Sequence, residues 1–338
     1  MAEKEKMKKI GDILLNNAMY IIIALAVVYI TIMRPKFLGL SSIVNVLSLT
    51  AAKLPIALGI GGCIVLTGTD ISAGRVVGLT ACISASLLTT TFKVFPNMTS
   101  PAALPLVLLL VIGVGAAVGF VNGFSVAKFK LHPFIVTLST QLIVYGIILI
   151  YLMNGVNNGQ TLSGLTDGYR SFVTGALFTI GGVAVPKYVL YAVLLTALMW
   201  VIWNKTTFGK NMFAVGSNEE AANVSGVNVS RTIIMVFMLA GIMYGLTGFL
   251  DSARIASANA NTGLNYECDA IAACVIGGVS FVGGIGRISG IVVGVLLLQI
   301  IFAGLTFLAV DPNLLYIIKG LIILTACAID MRKYLVRK

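Results

Sequence analysis

Charged side chains are scarce in this chain, and those that stand at the edges of apolar runs carry most of the chemistry it can do. Three stretches hold them. "LTGTDISAGRVVG" (66–78) sets Asp70, Ser72 and Arg75 within six residues. "NYECDAIAACVIGGVSFVGGIGR" (265–287) opens on Asn265, Glu267 and Asp269 and runs on into glycines. "NKTTFGKNMFAVGSNEEAANVSGVNVSR" (204–231) puts Glu219 and Glu220 ahead of Ala221, Ala222 and Gly226. A carboxylate, a hydroxyl and a guanidinium beside glycines suit hydrogen bonding to a polar solute, and charge beside an apolar run is costly enough to be functional by default. Acid/base or metal chemistry has little to work with. The one histidine, His132, sits in the basic turn "KFKLHP", and the five cysteines (Cys63, Cys82, Cys268, Cys274, Cys327) lie inside apolar runs without ligand spacing. No catalytic or metal residue is nominated.

The elements that must position these residues are membrane spans. Apolar residues make up 58% of the chain and charged ones 10%, with mean hydropathy +1.01, whereas soluble domains hold about 45–50% and about 25%. The expected fold is all-α and polytopic, one transmembrane domain over 1–338 with about ten helices. These lie at 18–33, 43–67, 74–92, 105–127, 134–153, 187–203, 232–251, 268–282, 288–309 and 313–329, the eighth short and Gly-rich. The first run continues apolar past "ALA" (24–26), so it reads as an uncleaved span.

The net charge of +11 does not point to nucleic acid, because position decides. The basic residues cluster at the ends (Lys4, Lys6, Lys8, Lys9; Arg332, Lys333, Arg337, Lys338) and in short loops, which is how topology is set. With both termini cytoplasmic, most of the 23 Lys and Arg residues fall inside, and the number of spans is even. Loop 204–231 is then cytoplasmic, and 154–186 faces outward as a partly re-entrant cap or a docking surface. Trp200 and Trp203 read as interfacial belt residues at the inner end of the sixth span.

Gly115, Gly119 and Gly123 form a ladder on one helix face, and Gly290 with Gly294 a second pair; in lipid such stripes mark close helix–helix contacts. "SAGRVVG" (72–78) echoes "GIGRISG" (284–290), and "DISAGR" (70–75) echoes "DSAR" (251–254), so an internal repeat is possible.

Within the polar loop, Ser217 and Glu220 have the spacing of a capping box. Glu219 and Glu220 sit where the helix dipole favours negative charge, worth about 0.3–1 kcal/mol, and Gly226 supplies a left-handed stop. The expected product is a helix of about two turns that needs a surface to rest on. Around Asp70 and Arg75, Gly68 and Gly74 allow a helix break. Two readings of the pair stay open: a lining or gate of a solute route, with Asn265, Glu267 and Asp269 as partners, or an ion pair that only holds the break in shape.

Glu220-Ala-Ala-x-x-x-Gly226 has the spacing of the "EAA" motif of permease subunits in bacterial ABC importers. Together with "GTDISAGR" and "DAIAACVIGGVSF", in this order and essentially end to end, it makes the chain resemble the permease subunits of ABC importers for monosaccharides, the ribose, arabinose, xylose and galactose group. "GTDISAGR" is nearer the galactose branch than the ribose branch, which typically has G-I-D-L-S-V-G. Cys268 stands where Leu is usual, and the loop lacks the Ile-Leu-Pro ending of the broader pattern. The resemblance implies a coupling helix at Glu219–Gly226 docked on a separate ATPase subunit that binds the ATP. It also implies an extracytoplasmic sugar-binding protein, a second permease copy, lipid around them, and the bacterial cytoplasmic membrane. The chain has no G-x-x-x-x-G-K-[ST], so it lacks the usual phosphate cradle. The competing expectation is a secondary transporter or channel, which would show more intramembrane charges than Lys53, Lys319 and the motif residues.

Overall fold

Long runs of Leu, Ile and Val leave the backbone no partner but itself in lipid, and the helix satisfies it. The computed structural model describes residues 18–90, 103–154 and 158–335. The basic residues Lys4, Lys6, Lys8, Lys9, Arg337 and Lys338 lie outside the described residues, as does the end of the expected third span.

The chain runs through α1 (Ala18–Met33), a 3-10 turn (Pro35–Leu38), α2 (Leu40–Val65), α3 (Ala73–Leu87), α4 (Ala103–Phe129) and α5 (Pro133–Asn154). There follow α6 (Asp167–Thr174), a hairpin of β1 (Ala176–Ile180) and β2 (Val183–Pro186), and α7 (Lys187–Lys205). After these come α8 (Thr207–Ser217), α9 (Glu219–Val224), α10 (Val229–Ile255), α11 (Tyr266–Ile276), α12 (Ile288–Phe307) and α13 (Pro312–Leu335). The hairpin is the one sheet among the described residues. Its strands pair antiparallel around Gly181 and Gly182, both at positive φ, as a tight primed turn requires.

Each of the ten expected segments carries a helix, and among the described residues six helices are long and apolar enough to cross a membrane: α2, α4, α5, α7, α10 and α12. The count of ten crossings is therefore not carried by the structure. Two expected spans are cut short in an informative way. α3 has 15 residues, about 22 Å, and α11 has 11, about 16 Å, against a hydrocarbon core of about 30 Å. Each follows a non-helical segment, 66–72 and 256–265, and neither is long enough to cross that layer alone.

The core is built on α2 and α10. α2 is buried at nearly every position from Thr50 to Val65, and α10 at most positions from Val236 to Ala253. The glycine ladder does what its spacing predicts. A Cβ on Gly115 would overlap the carbonyl of Gly241, one on Gly241 would overlap that of Gly115, and one on Gly119 would overlap that of Phe237. α4 thus lies backbone to backbone on α10. The second pair behaves alike, with Gly290 against Gly277 and Gly294 against the carbonyl of Ala273. The outer faces of α4, α5 and α7 expose Leu109, Leu142, Ile150 and Leu194, as lipid-facing surfaces do.

The segment after α5 forms a lid over one end of this core. Leu162 bridges to Ala258 and Thr89 to Leu165. The Tyr169 hydroxyl donates to the Phe249 carbonyl and lies 2.6 Å from Ser252 Oγ. At the other end the belt expectation fails for one tryptophan. Trp200 is exposed, but Trp203 is buried edge-on against Phe213, because Gly62 and Gly286 leave room for its ring.

Candidate functional site: a half-helix junction and a protruding loop helix

The break after α2 is closed by its own last turn. Thr67 takes the left-handed conformation at φ 61°, and the Gly68 amide donates back to the Cys63 carbonyl at 2.9 Å. Sequence reasoning assigned this freedom to Gly68; Thr67 carries it instead. Asp70 Oδ1 then accepts from the Ser72 amide at 3.0 Å and the Ser72 hydroxyl at 2.6 Å, a local bond that favours a turn over helix. Ser72 Oγ accepts from Asn122 Nδ2 at 3.0 Å, and Thr140 Oγ1 donates to Asn122 Oδ1 at 2.6 Å. Thr137 Oγ1 donates to the Thr69 carbonyl at 3.2 Å. The break is thereby stitched to α4 and α5, and Asp70, Ser72 and Asn122 are all buried. The Tyr244 hydroxyl is buried beside Asp70 and Cys63.

Asp70 and Arg75 do not pair, so the reading of them as an ion pair shaping the break is corrected. The serine hydroxyl and amide take up the Asp70 oxygen, and the helix carries Arg75 to another face. There Arg75 Nη1 donates to the Ala260 carbonyl at 3.0 Å, and its guanidinium lies 4.1 Å over the Tyr145 ring.

The start of α11 meets the start of α3. Asn265 holds φ 61° at the N-cap of α11 without a side-chain bond. A Cβ on Gly74 would overlap both the Gly263 carbonyl and the Glu267 carboxylate, so two backbones and a buried acid meet where only glycine fits. Arg75, Asp269 and Asp70 all lie within electrostatic reach of Glu267. Asp269 turns away and pairs with Lys319 of α13 at 2.9 Å.

A second charged group adjoins this junction, and sequence reasoning missed it as a group. Asp251 accepts from Arg254 Nε at 2.8 Å and from the Tyr266 hydroxyl at 2.7 Å. Lys53 Nζ lies 2.7 Å from the centre of the Tyr266 ring, and Asp251, Asp269, Arg254 and Lys319 all act on it electrostatically. The available signal was the lysine in the middle of the apolar run "VLSLTAAKLPIALGIGG"; its partners lie some 200 residues away.

The polar loop holds two capped helices rather than one, and the capped start of α10. Thr206 Oγ1 accepts from the Gly209 amide, Asn218 Oδ1 from the Ala221 amide at 2.9 Å, and Asn228 Oδ1 from the Arg231 amide at 2.9 Å. The expected capping box of Ser217 with Glu220 is corrected. Ser217 ends α8, and Asn218, extended at φ −163°, is the cap of α9. Gly226 does end α9, at φ 84°, with the Val227 amide on the Ala222 carbonyl and the Gly226 amide on that of Asn223, a Schellman stop. Ala222 is buried while Val224 is 89% exposed. Glu219 meets Lys130 of the α4–α5 turn at 2.6 Å; with both side chains exposed, such a pair is worth about 0–1 kcal/mol. Beside it runs a groove of about 770 Å³ lined by Lys130, Glu219, Glu220, Asn223 and the 226–230 turn. α8 seats this assembly on the core, since Gly216 packs on the Val65 carbonyl at the end of α2.

Residues 42–327 match the family model described as branched-chain amino acid transport system / permease component. The chain belongs to this family. It is therefore a transport component, and its several apolar helices make it a multi-pass membrane permease. It is 42% identical over 341 residues to the galactose/methyl galactoside import permease protein of Haemophilus influenzae, covering 100% of both chains. It is 44% identical over 327 residues to the protein of that name from Escherichia coli, covering 96% of each. To the ribose import permease protein of Haemophilus influenzae the identity is 32% over 323 residues, 95% of each. No solved structure matches the chain.

Proposed function

We propose that this permease is the membrane-spanning subunit of an ATP-driven importer for a monosaccharide, with galactose or a methyl galactoside as the first candidate. The observation that carries it is full-length identity to import permeases of that name, joined to a capped helix that protrudes from the core with an open groove at its side. ATP is bound by a partner ATPase, which docks on α9 through Glu219, Glu220, Ala221, Ala222 and Gly226. Loop 204–231 and both termini are cytoplasmic, in a bacterial cytoplasmic membrane. A sugar-binding protein delivers cargo on the opposite face, over the 158–186 lid and hairpin, and a second permease copy completes the route. Within the route, the break at 67–75 is the gate: Asp70 and Ser72 hold its shape, while Arg75, Asn265, Glu267 and Asp269 flank it.

The gathered charges around Lys53 favour one second reading, an ion-coupled secondary transporter. Co-purification separates the two. Tagged full-length permease expressed beside its host's ATPase subunits is expected to bring one down in stable ratio. Permease that purifies alone and accumulates sugar on an ion gradient contradicts the importer.

A further inference from the structure

Lys53, Asp251, Arg254, Tyr266, Asp269 and Lys319 meet at one place, from four helices. Lys53 stands in the middle of α2, and Lys319 within the apolar stretch Asn313–Thr325 of α13. Neither is near a helix end from which a lysine reaches the interface easily. Nor is the cluster sealed. The side chains of Arg254 and Lys319 are 23% and 25% exposed, and Lys53 and Tyr266 are only part-buried. A charged flank left open at this depth cannot face hydrocarbon, where it costs several kcal/mol for each charge. It must face water.

The chemistry of the group suits a neutral polyol. Each carboxylate is held by a cation or a hydroxyl, Asp251 by Arg254 and Tyr266 and Asp269 by Lys319. A sugar hydroxyl both donates and accepts, so it can replace one partner without leaving a charge bare. We infer that this cluster is a water-facing wall of the translocation route and that Arg254 and Tyr266 contact the hydroxyls of the passing sugar. The sugar contact rests on the importer reading above; the water-facing wall does not.

Cys268 reports on the wall, because it is part-buried on α11 and within electrostatic reach of Lys319. The full chain in lipid nanodiscs, open to solvent on both faces, is treated with a charged methanethiosulfonate, which reacts with thiols in water. Labelling is expected in the native chain and reduced in Cys268→Ala; equal labelling of the two overturns the wall. For the contact, uptake by the reconstituted complex is measured with Arg254→Lys and, independently, Tyr266→Phe. Loss of one hydrogen bond to the sugar raises KM about tenfold while maximal rate is largely kept. An unchanged KM in both variants, at native insertion levels, overturns the contact. If the native complex takes up no monosaccharide, the importer reading fails instead, and Cys268 labelling still decides the wall.

Discussion

Gly74 and Gly263 touch backbone to backbone: a Cβ on either would overlap the carbonyl of the other. Through this contact the first turn of α3 meets the segment leading into α11, and the Glu267 carboxylate is packed into the same space. Gly74→Ala is expected to lower stability by about 1–3 kcal/mol, the usual cost of overpacking. Thermal unfolding in detergent, followed by the fraction that stays monodisperse, checks it. An unchanged midpoint would mean that the two half-helices do not meet there.

Asp70 and Arg75 look like partners in sequence and are not. Exchanging them, Asp70→Arg with Arg75→Asp, is therefore expected to leave insertion and uptake as poor as in the single variants. Thr140→Val, which removes one donor from the Asn122 amide, should cost about 1 kcal/mol. Restored uptake in the exchange variant would reinstate the ion pair.

The protruding helix gives a separable pair of effects. Gly226→Ile forces a β-branched residue into φ 84° and costs about 1–3 kcal/mol of local strain, which should unseat α9 and cut both uptake and the ATP hydrolysis linked to it. Val224→Asp touches nothing in the chain, Val224 being 89% exposed. It should leave the permease as stable as before and weaken only its hold on the ATPase. Glu220→Ala is likewise expected to insert normally and transport poorly. If all three transport at the native rate, α9 is not the coupling element.

Topology is tested by two added cysteines at exposed positions. In intact cells an impermeant thiol reagent is expected to reach Thr161→Cys, in the lid, and not Lys210→Cys, in α8. The opposite pattern would turn the chain over in the membrane.

Helices were legible from apolar runs because lipid allows the backbone no other local solution. The glycine ladder was legible because its period names a helix face. The stop at Gly226 was legible from its residue type, but the cap was not: Ser217 and Asn218 are both good caps, and only the extension of α8 to Ser217 decides for Asn218. The length of α11 escaped a hydropathy reading because the residues after it, "GGVSFVGG", are apolar without being helical. The network behind Asp70 was hidden for another reason. Asn122 and Thr140 are single polar residues in long apolar helices, and only packing of α4 and α5 on the break turns them inward. The Lys53 group likewise depends on bringing α2, α10, α11 and α13 together, which no local pattern records.

The most direct measurement is uptake of labelled galactose into sealed proteoliposomes holding this permease, its ATPase and an external sugar-binding protein. Accumulation is expected only with ATP on the ATPase side, unaffected by ionophores that dissipate every ion gradient. Accumulation without ATP, or its collapse on adding the ionophores, would contradict the account.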